Sequence, residues 1–129
     1  MHNDYLILTN NPLVLKKLDG RRNVIYKKIS YEDILKEVRD RVHEGYTLLT
    51  HPLSGSVKPN ETPYKSVMMG AKKGNVDPEA LRIIEFAISS CEKFQVKYDK
   101  YHEDVYEDFQ VIDWTLLESA LPSADVCRY

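Results

Sequence analysis

Short apolar segments alternate with amphipathic helical patterns through most of the chain, and this alternation is the feature that most constrains the fold. Four segments have the length and residue content of strands, at 5–9, 23–27, 46–50 and 66–70. Three segments carry apolar residues at helical spacing, at 12–18, 31–44 and 78–95. This order is typical of parallel strands joined by right-handed helical crossovers. We therefore predict one α/β domain over residues 1–129, a three-layer sandwich with a mainly parallel sheet of four to five strands.

All three helical segments begin with residues that are suited to helix starts. Asn11 can cap the first helix, because Pro12 has no N–H to satisfy and a backbone angle already close to the helical value. Asp77 and Pro78 repeat this arrangement at the third helix, and the segment from Ser30 resembles a capping box. The third helix carries a wide apolar stripe, so we expect it to be the main core helix.

The C-terminal segment is acidic and rich in tyrosine between residues 98 and 108. After it, the apolar run at 109–113 suits a fifth strand. Asp113 can then cap a last helix over 114–121, which Pro122 would end.

Charge and motif content exclude several classes of function. The formal net charge is -2 at pH 7, whereas nucleic-acid-binding proteins usually present a basic face. No apolar run approaches the length of a membrane-spanning helix and the N-terminus lacks the pattern of a signal peptide, so we expect a cytoplasmic protein without membrane contact. The two cysteines, Cys91 and Cys127, form no C-x-x-C motif. We therefore expect reduced thiols and no cofactor.

One acidic cluster deserves comparison with a metal site. Asp99, His102, Glu103 and Asp104 carry ligand atoms that metals accept. Acid-rich segments are more often solvated faces, and we predict no metal centre here.

The segment Thr50–Ser66 is the most specific part of the sequence. It contains three prolines and many small polar residues, directly after a predicted strand. Loops longer than about 12 to 15 residues are uncommon in compact domains unless they serve a function or are disordered. Together with the polar segment 9–12, this loop leaves the carboxyl end of a predicted strand, where open α/β sheets bind ligands.

Two chemical roles can be assigned to the loop. His51 could act as a general acid or base, although a lone histidine before proline often only hydrogen-bonds the loop. Ser54, Gly55, Ser56 and Lys58 could form a cradle for an anion, although their hydroxyl groups could equally satisfy the loop backbone. The sequence has neither a P-loop nor a nucleophile-elbow motif.

Further residues near these loops can contact a ligand but also have structural explanations. Asn10 and Asn11 are common turn and cap residues, and Glu61 and Lys65 can pair with each other at the surface. The full predicted ligand-binding set is Asn10, Asn11, Ser54, Gly55, Ser56, Lys58, Asn60, Glu61 and Lys65.

The phrases T-N-N-P-L-V at 9–14 and L-L-T-H-P-L-S-G-S-V-K-P-N-E-T-P-Y-K-S-V at 48–67 resemble those of the GrdX family. Members of this family are small bacterial proteins encoded beside the components of glycine, sarcosine and betaine reductase. The resemblance covers most of the chain. It implies a cytosolic accessory protein of that reductase system, with reductase components as partners, and it implies no catalytic residue.

Two hypotheses of function follow. In the first, an accessory or regulatory protein uses the 50–66 loop to hold a small anionic metabolite or to dock on a reductase component. In the second, a small enzyme uses His51 as acid or base, with Lys58 or Lys65 stabilising negative charge. We favour the first, because no set of nucleophile, base and orienting group can be identified from residue spacing.

Overall fold

The computed structural model describes residues 5–53, 61–93 and 101–126. Within these ranges the chain forms three strands, β1 Tyr5–Thr9, β2 Val24–Tyr26 and β3 Ser66–Gly70. It also forms four helices, α1 Pro12–Leu18, α2 Tyr31–His43, α3 Pro78–Lys93 and α4 Glu103–Val126. None of the helices in the described part of the chain is both long and apolar enough to cross a membrane.

The strands form one mixed sheet in the order β2-β1-β3. β1 runs parallel to β2, with Thr9 opposite Tyr26, and antiparallel to β3, with Thr9 opposite Ser66. The prediction of a mainly parallel sheet of four to five strands is therefore wrong.

The segment 46–50 explains most of this difference. It contributes only an isolated antiparallel bridge, between Leu48 and Met69, rather than a full strand. A strand that runs parallel to the preceding strand needs a crossover connection of a dozen or more residues, usually a helix. The described parts of the connection to β3 contain no helix, and β3 pairs in the antiparallel sense.

The predicted fifth strand at 109–113 is also wrong, because these residues lie inside α4. The buried face of α4 repeats at helical spacing through Asp113, Leu117, Leu121 and Ala124. Pro122 does not end the helix, although it cannot donate a backbone hydrogen bond. Burial of Ala124 and an ion pair from Asp125 to Arg22, at 2.6 Å, stabilise the turn that follows it.

The first three helices predicted from capping are present, whereas Asp113, the predicted cap of the last helix, lies inside α4. Asn11 accepts from the Leu13 amide, Ser30 from the Asp33 amide and Asp77 from the Glu79 amide. α1 has the predicted bounds, α2 ends one residue before the predicted end, and residues 94 and 95 of the third predicted helix lie outside the described residues.

Alternating side chains of the sheet enter two separate cores, as expected for strands covered on both faces. Leu6, Leu8 and Met69 pack in the core formed with α2 and α3. Ile7 and Met68 pack in the core formed with α1 and α4. The predicted helix–sheet–helix layering is thus confirmed.

Candidate functional site

Buried polar residues gather at one edge of the sheet, where β1 and β2 end and β3 begins. Every buried polar or charged residue in the described part of the chain, apart from the phenols, belongs to this group. We call it the edge cluster: Thr9, Asn10, Asn11, Thr62, Lys65, Ser66 and Asp113. The antiparallel register brings the end of β1 to the start of β3, and α4 supplies the aspartate.

The Asp113 carboxylate accepts three hydrogen bonds within the edge cluster. Its Oδ1 accepts from the Ser66 amide at 3.1 Å. Its Oδ2 accepts from Ser66 Oγ at 2.7 Å and from Asn11 Nδ2 at 2.9 Å. The side chain is only 7% exposed, so this set of donors is what allows a carboxylate to be buried there.

A directed chain of hydrogen bonds leads to this carboxylate. Ser66 donates its hydroxyl proton to Asp113, so the 2.7 Å contact between Thr9 Oγ1 and Ser66 Oγ requires Thr9 to donate. The backbone N–H of Asn11 in turn donates to Thr9 Oγ1 at 2.9 Å. The end of β1, the start of β3 and α4 are joined by one network.

The two asparagines hold the edge together. Asn10 Nδ2 donates to the Ile29 and Pro63 carbonyls, both at 2.8 Å, and its Oδ1 accepts from the Lys65 amide at 2.8 Å. Besides capping α1, Asn11 donates to the Gln110 carbonyl at 2.9 Å as well as to Asp113. The side-chain amide groups of both asparagines are thus hydrogen-bonded to other groups of the chain, so their role is structural.

Lys65 differs from the rest of the edge cluster. Its side chain is only 5% exposed. Among the described residues, no acceptor receives a hydrogen bond from its ammonium group, and it forms no salt bridge. Buried lysines are rare unless they are paired, so three unused donors in the interior require an explanation.

Two small cavities adjoin Lys65, with volumes of about 20 and 30 Å³. Lys65, Asp113 and Leu116 line both of them. The first is completed by Tyr31, Thr62, Tyr64 and Ile112, and the second by Thr50, Ser66 and Leu117. Each has room for roughly one or two water molecules. Ile112 and Leu116 are partly exposed, so this side of the site reaches the protein surface.

The electrostatics of the site are set by burial. Burial lowers the pKa of Lys65, and the charge of Asp113 opposes this shift. Burial raises the pKa of Asp113, while hydrogen bonds from Asn11 and Ser66 and the charge of Lys65 oppose that shift. Burial also raises the pKa of the Tyr31 phenol, which therefore stays neutral and can donate a hydrogen bond.

The structure brings only part of the predicted site together. Asn10, Asn11 and Lys65 belong to the edge cluster. His51 is exposed, and its Nδ1 accepts from the Leu53 amide at 3.0 Å. Glu61 is half-buried and lines neither cavity. The predicted residues Ser54, Gly55, Ser56, Lys58 and Asn60 lie outside the described residues.

Asp113 was missed as a site residue because it was interpreted as a helix cap. Its spacing of four residues from the buried Leu117, and of eight from Leu121, places it on the buried face of one longer helix. A carboxylate on an otherwise apolar helical face is the signal that sequence reasoning could have used.

A larger groove of about 380 Å³ lies between α1 and α4. Most of the residues that line it are exposed, namely Pro12, Lys16, Glu107 and Val111.

In the described ranges, no three His, Cys, Asp or Glu side chains converge to hold a metal ion.

The chain matches a protein-family model over most of its length. The model described as GrdX-like protein matches residues 6–122. The chain belongs to the GrdX-like protein family. The matched range of this GrdX-like protein includes the whole edge cluster and both cavities. No curated protein and no solved structure shows significant similarity to it.

Proposed function

We propose that this GrdX-like protein is an accessory or regulatory protein of the glycine, sarcosine and betaine reductase system, and that it binds a small anionic metabolite beside Lys65. Family membership supports the link to the reductase system. The observation that carries the binding site is the buried Lys65 ammonium group, which lines two cavities without a hydrogen-bonding partner among the described residues.

The energetics of burial favour an anionic ligand. A buried ammonium group without a partner has lost its hydration and gained little in return. A carboxylate or phosphate oxygen would accept charge-assisted hydrogen bonds from Lys65 in a site with little water to screen them. Thr50 lines one cavity and can add a hydroxyl donor, because its Oγ1 accepts from the Met68 amide and its proton is not used by that bond. The Thr62 hydroxyl, which lines the other cavity, already donates to the Tyr64 carbonyl.

The size of the cavities limits the ligand. Pockets for drug-sized ligands and cofactors have volumes of roughly 300 to 1,000 Å³, far above the two cavities beside Lys65. The part of the ligand that these cavities hold is therefore an anionic group of a few heavy atoms.

The position of the site connects ligand binding to the predicted docking loop. Thr50 begins the 50–66 loop and lines one cavity, whereas Thr62 lies near its end and lines the other. Occupancy would thus act on both ends of the loop for which we predict contact with a reductase component. This arrangement suits a protein that reports a metabolite to a partner.

No observation favours the alternative of an enzyme that uses His51. The His51 side chain is exposed, its Nδ1 is occupied by the Leu53 amide, and it lines neither cavity. A general base needs to be within hydrogen-bond reach of its substrate.

Thermal-shift titration with acetate, inorganic phosphate and acetyl phosphate tests the proposal. Chloride at matched ionic strength corrects for general salt effects. A ligand present at about 100 times its dissociation constant stabilises the native state by about 2.7 kcal/mol. We expect such a shift for at least one anion in the wild type and in Lys72→Met, an exposed control.

We expect Lys65→Met to lose this response. An equal response in Lys65→Met would overturn the proposed site, as would the absence of any response both to these three anions and to the zwitterion glycine. A pull-down of purified reductase components, with and without the active anion, then tests the partner. We expect capture to change with the anion only in proteins that retain Lys65.

A further inference from the structure

Lys65 and Asp113 place opposite charges on the walls of the same two cavities. Both side chains are more than nine-tenths buried. They interact through space but form no direct salt bridge with each other. A ligand that enters beside Lys65 therefore also meets the carboxylate of Asp113.

We infer that this site takes a small zwitterion, whose carboxylate pairs with Lys65 and whose ammonium group pairs with Asp113. The inference rests on the proposed anion site and names the chemical class of its ligand. The simplest member of this class is an α-amino acid with one carbon between its two charged groups.

Asp113 has the capacity to accept such a bond. Its Oδ2 already accepts two hydrogen bonds, whereas its Oδ1 accepts one, from the Ser66 amide. A carboxylate oxygen can accept two, so one acceptor position on Oδ1 is unused by the described residues. The three existing bonds fix the orientation of the carboxylate before a ligand arrives, which reduces the entropy lost on binding.

Charge balance separates a zwitterion from a simple anion. With Lys65 protonated and Asp113 ionised, the site itself carries one positive and one negative charge. A simple anion would add a second negative charge close to Asp113, in a region where water screens charges poorly. A zwitterion leaves the total unchanged and gives each buried charge an opposite partner. The site should therefore discriminate against ligands that lack the ammonium group.

The cavity volumes are consistent with a ligand of minimal length. Each cavity holds roughly one or two water molecules. Lys65 and Asp113 line both cavities, so a ligand with its two charged groups close together suits a site where the opposite charges share the same walls.

A ligand series on the wild-type protein tests the inference without any substitution. Binding of glycine, glycolate, acetate and methylammonium is measured by isothermal titration calorimetry at one ionic strength. Glycolate is the matched control, because a hydroxyl replaces the ammonium group at nearly the same size. We expect glycine to bind at least about tenfold more tightly than glycolate or acetate, and methylammonium to bind weakly.

Variants then assign the two charges. Asp113→Asn should remove the preference for glycine over glycolate, and Asp108→Asn, an exposed change on the same helix, should keep it. Lys65→Met should weaken glycine, glycolate and acetate alike. If Asp113→Asn does not fold, the wild-type series still decides the question.

The possible failures are distinguishable. Equal binding of glycine, glycolate and acetate, all dependent on Lys65, would overturn the zwitterion and leave the anion site intact. Binding of none of these ligands, together with no response to phosphate or acetyl phosphate, would overturn both. If Lys65→Met bound glycine as tightly as the wild type does, the ligand would lie elsewhere, and this result would also overturn the inference.

Discussion

Replacing Asp113 by asparagine should destabilise the protein far more than the same substitution at an exposed aspartate. The Asp113 carboxylate accepts three hydrogen bonds, from the Ser66 backbone N–H, the Ser66 hydroxyl and the Asn11 side-chain NH2 group. The two N–H groups cannot act as acceptors. An asparagine in its place has one acceptor oxygen and one donor group. In either orientation the new NH2 group faces a buried N–H, from Ser66 or from Asn11.

The size of the effect follows from these contacts. One buried donor left without a partner costs about 1 to 3 kcal/mol, and the remaining bonds weaken because they are no longer charge-assisted. Relief from burying a charge offsets part of this loss. We expect a loss of about 2 to 4 kcal/mol in unfolding free energy. Urea denaturation at pH 7 measures it, and the Tm should fall by on the order of 10 °C.

The matched control is Asp108→Asn, which makes the same chemical change on the exposed side of α4. Ordinary surface changes shift stability by less than about 0.5 kcal/mol. If the two variants proved equally stable, the network around Asp113 would not hold the sheet edge together, and the packing of α4 against β3 would need another explanation.

Three further predictions concern the cores and the buried titratable groups. Ile88→Ala should cost about 2 to 5 kcal/mol by urea denaturation, because Ile88 is 4% exposed, whereas Phe86→Ala, at 62% exposure, should cost little; equal losses would contradict the assigned core. Burial raises the pKa of Cys91 to about 11 from 9.0, which lowers the fraction of reactive thiolate. In a protein that carries Cys127→Ser, alkylation of Cys91 near pH 8 should therefore be about 100-fold slower in the native than in the urea-unfolded state. Equal rates in the two states would refute this. The pKa of Lys65 is lowered from 10.5 in the folded state, so the unfolded state binds more protons at alkaline pH. The unfolding free energy of the wild type should therefore rise with pH, relative to that of Lys65→Met, up to about pH 10.5. Parallel pH profiles of the two proteins would show that Lys65 is not buried as described.

Local signals in the sequence predicted the starts of α1, α2 and α3 correctly. Asn11 with Pro12 and Asp77 with Pro78 define helix starts through backbone chemistry that involves only neighbouring residues. The strands β1 and β3 were also predictable, since continuous apolar runs suit a sheet covered on both faces.

Strand direction and the course of the C-terminal segment depend on contacts that local patterns do not specify. The antiparallel pairing of Thr9 with Ser66 joins residues far apart in sequence. The run at 109–113 has strand-like composition, and its helical state depends on packing of the α4 face that includes Leu117 and Leu121. Tertiary contacts commonly override such propensities.

The same distinction applies to the site. The sequence indicated a ligand at the carboxyl end of β1 and included Asn10, Asn11 and Lys65. It did not indicate that the two asparagines are occupied by protein groups, or that Asp113 joins Lys65 across the cavities. Those facts depend on the fold that brings α4 to the sheet edge.

The most direct test of the central claim is an NMR titration of the Lys65 side chain, with ¹³C-labelled lysine and Lys65→Met to assign the signal. In the free protein we expect the Lys65 pKa to lie below 10.5. With saturating anion or zwitterion, the Lys65 signal should shift and its pKa should rise, because the bound carboxylate or phosphate stabilises the ammonium form. A Lys65 signal that titrates at 10.5 and does not respond to any of these ligands would contradict the account.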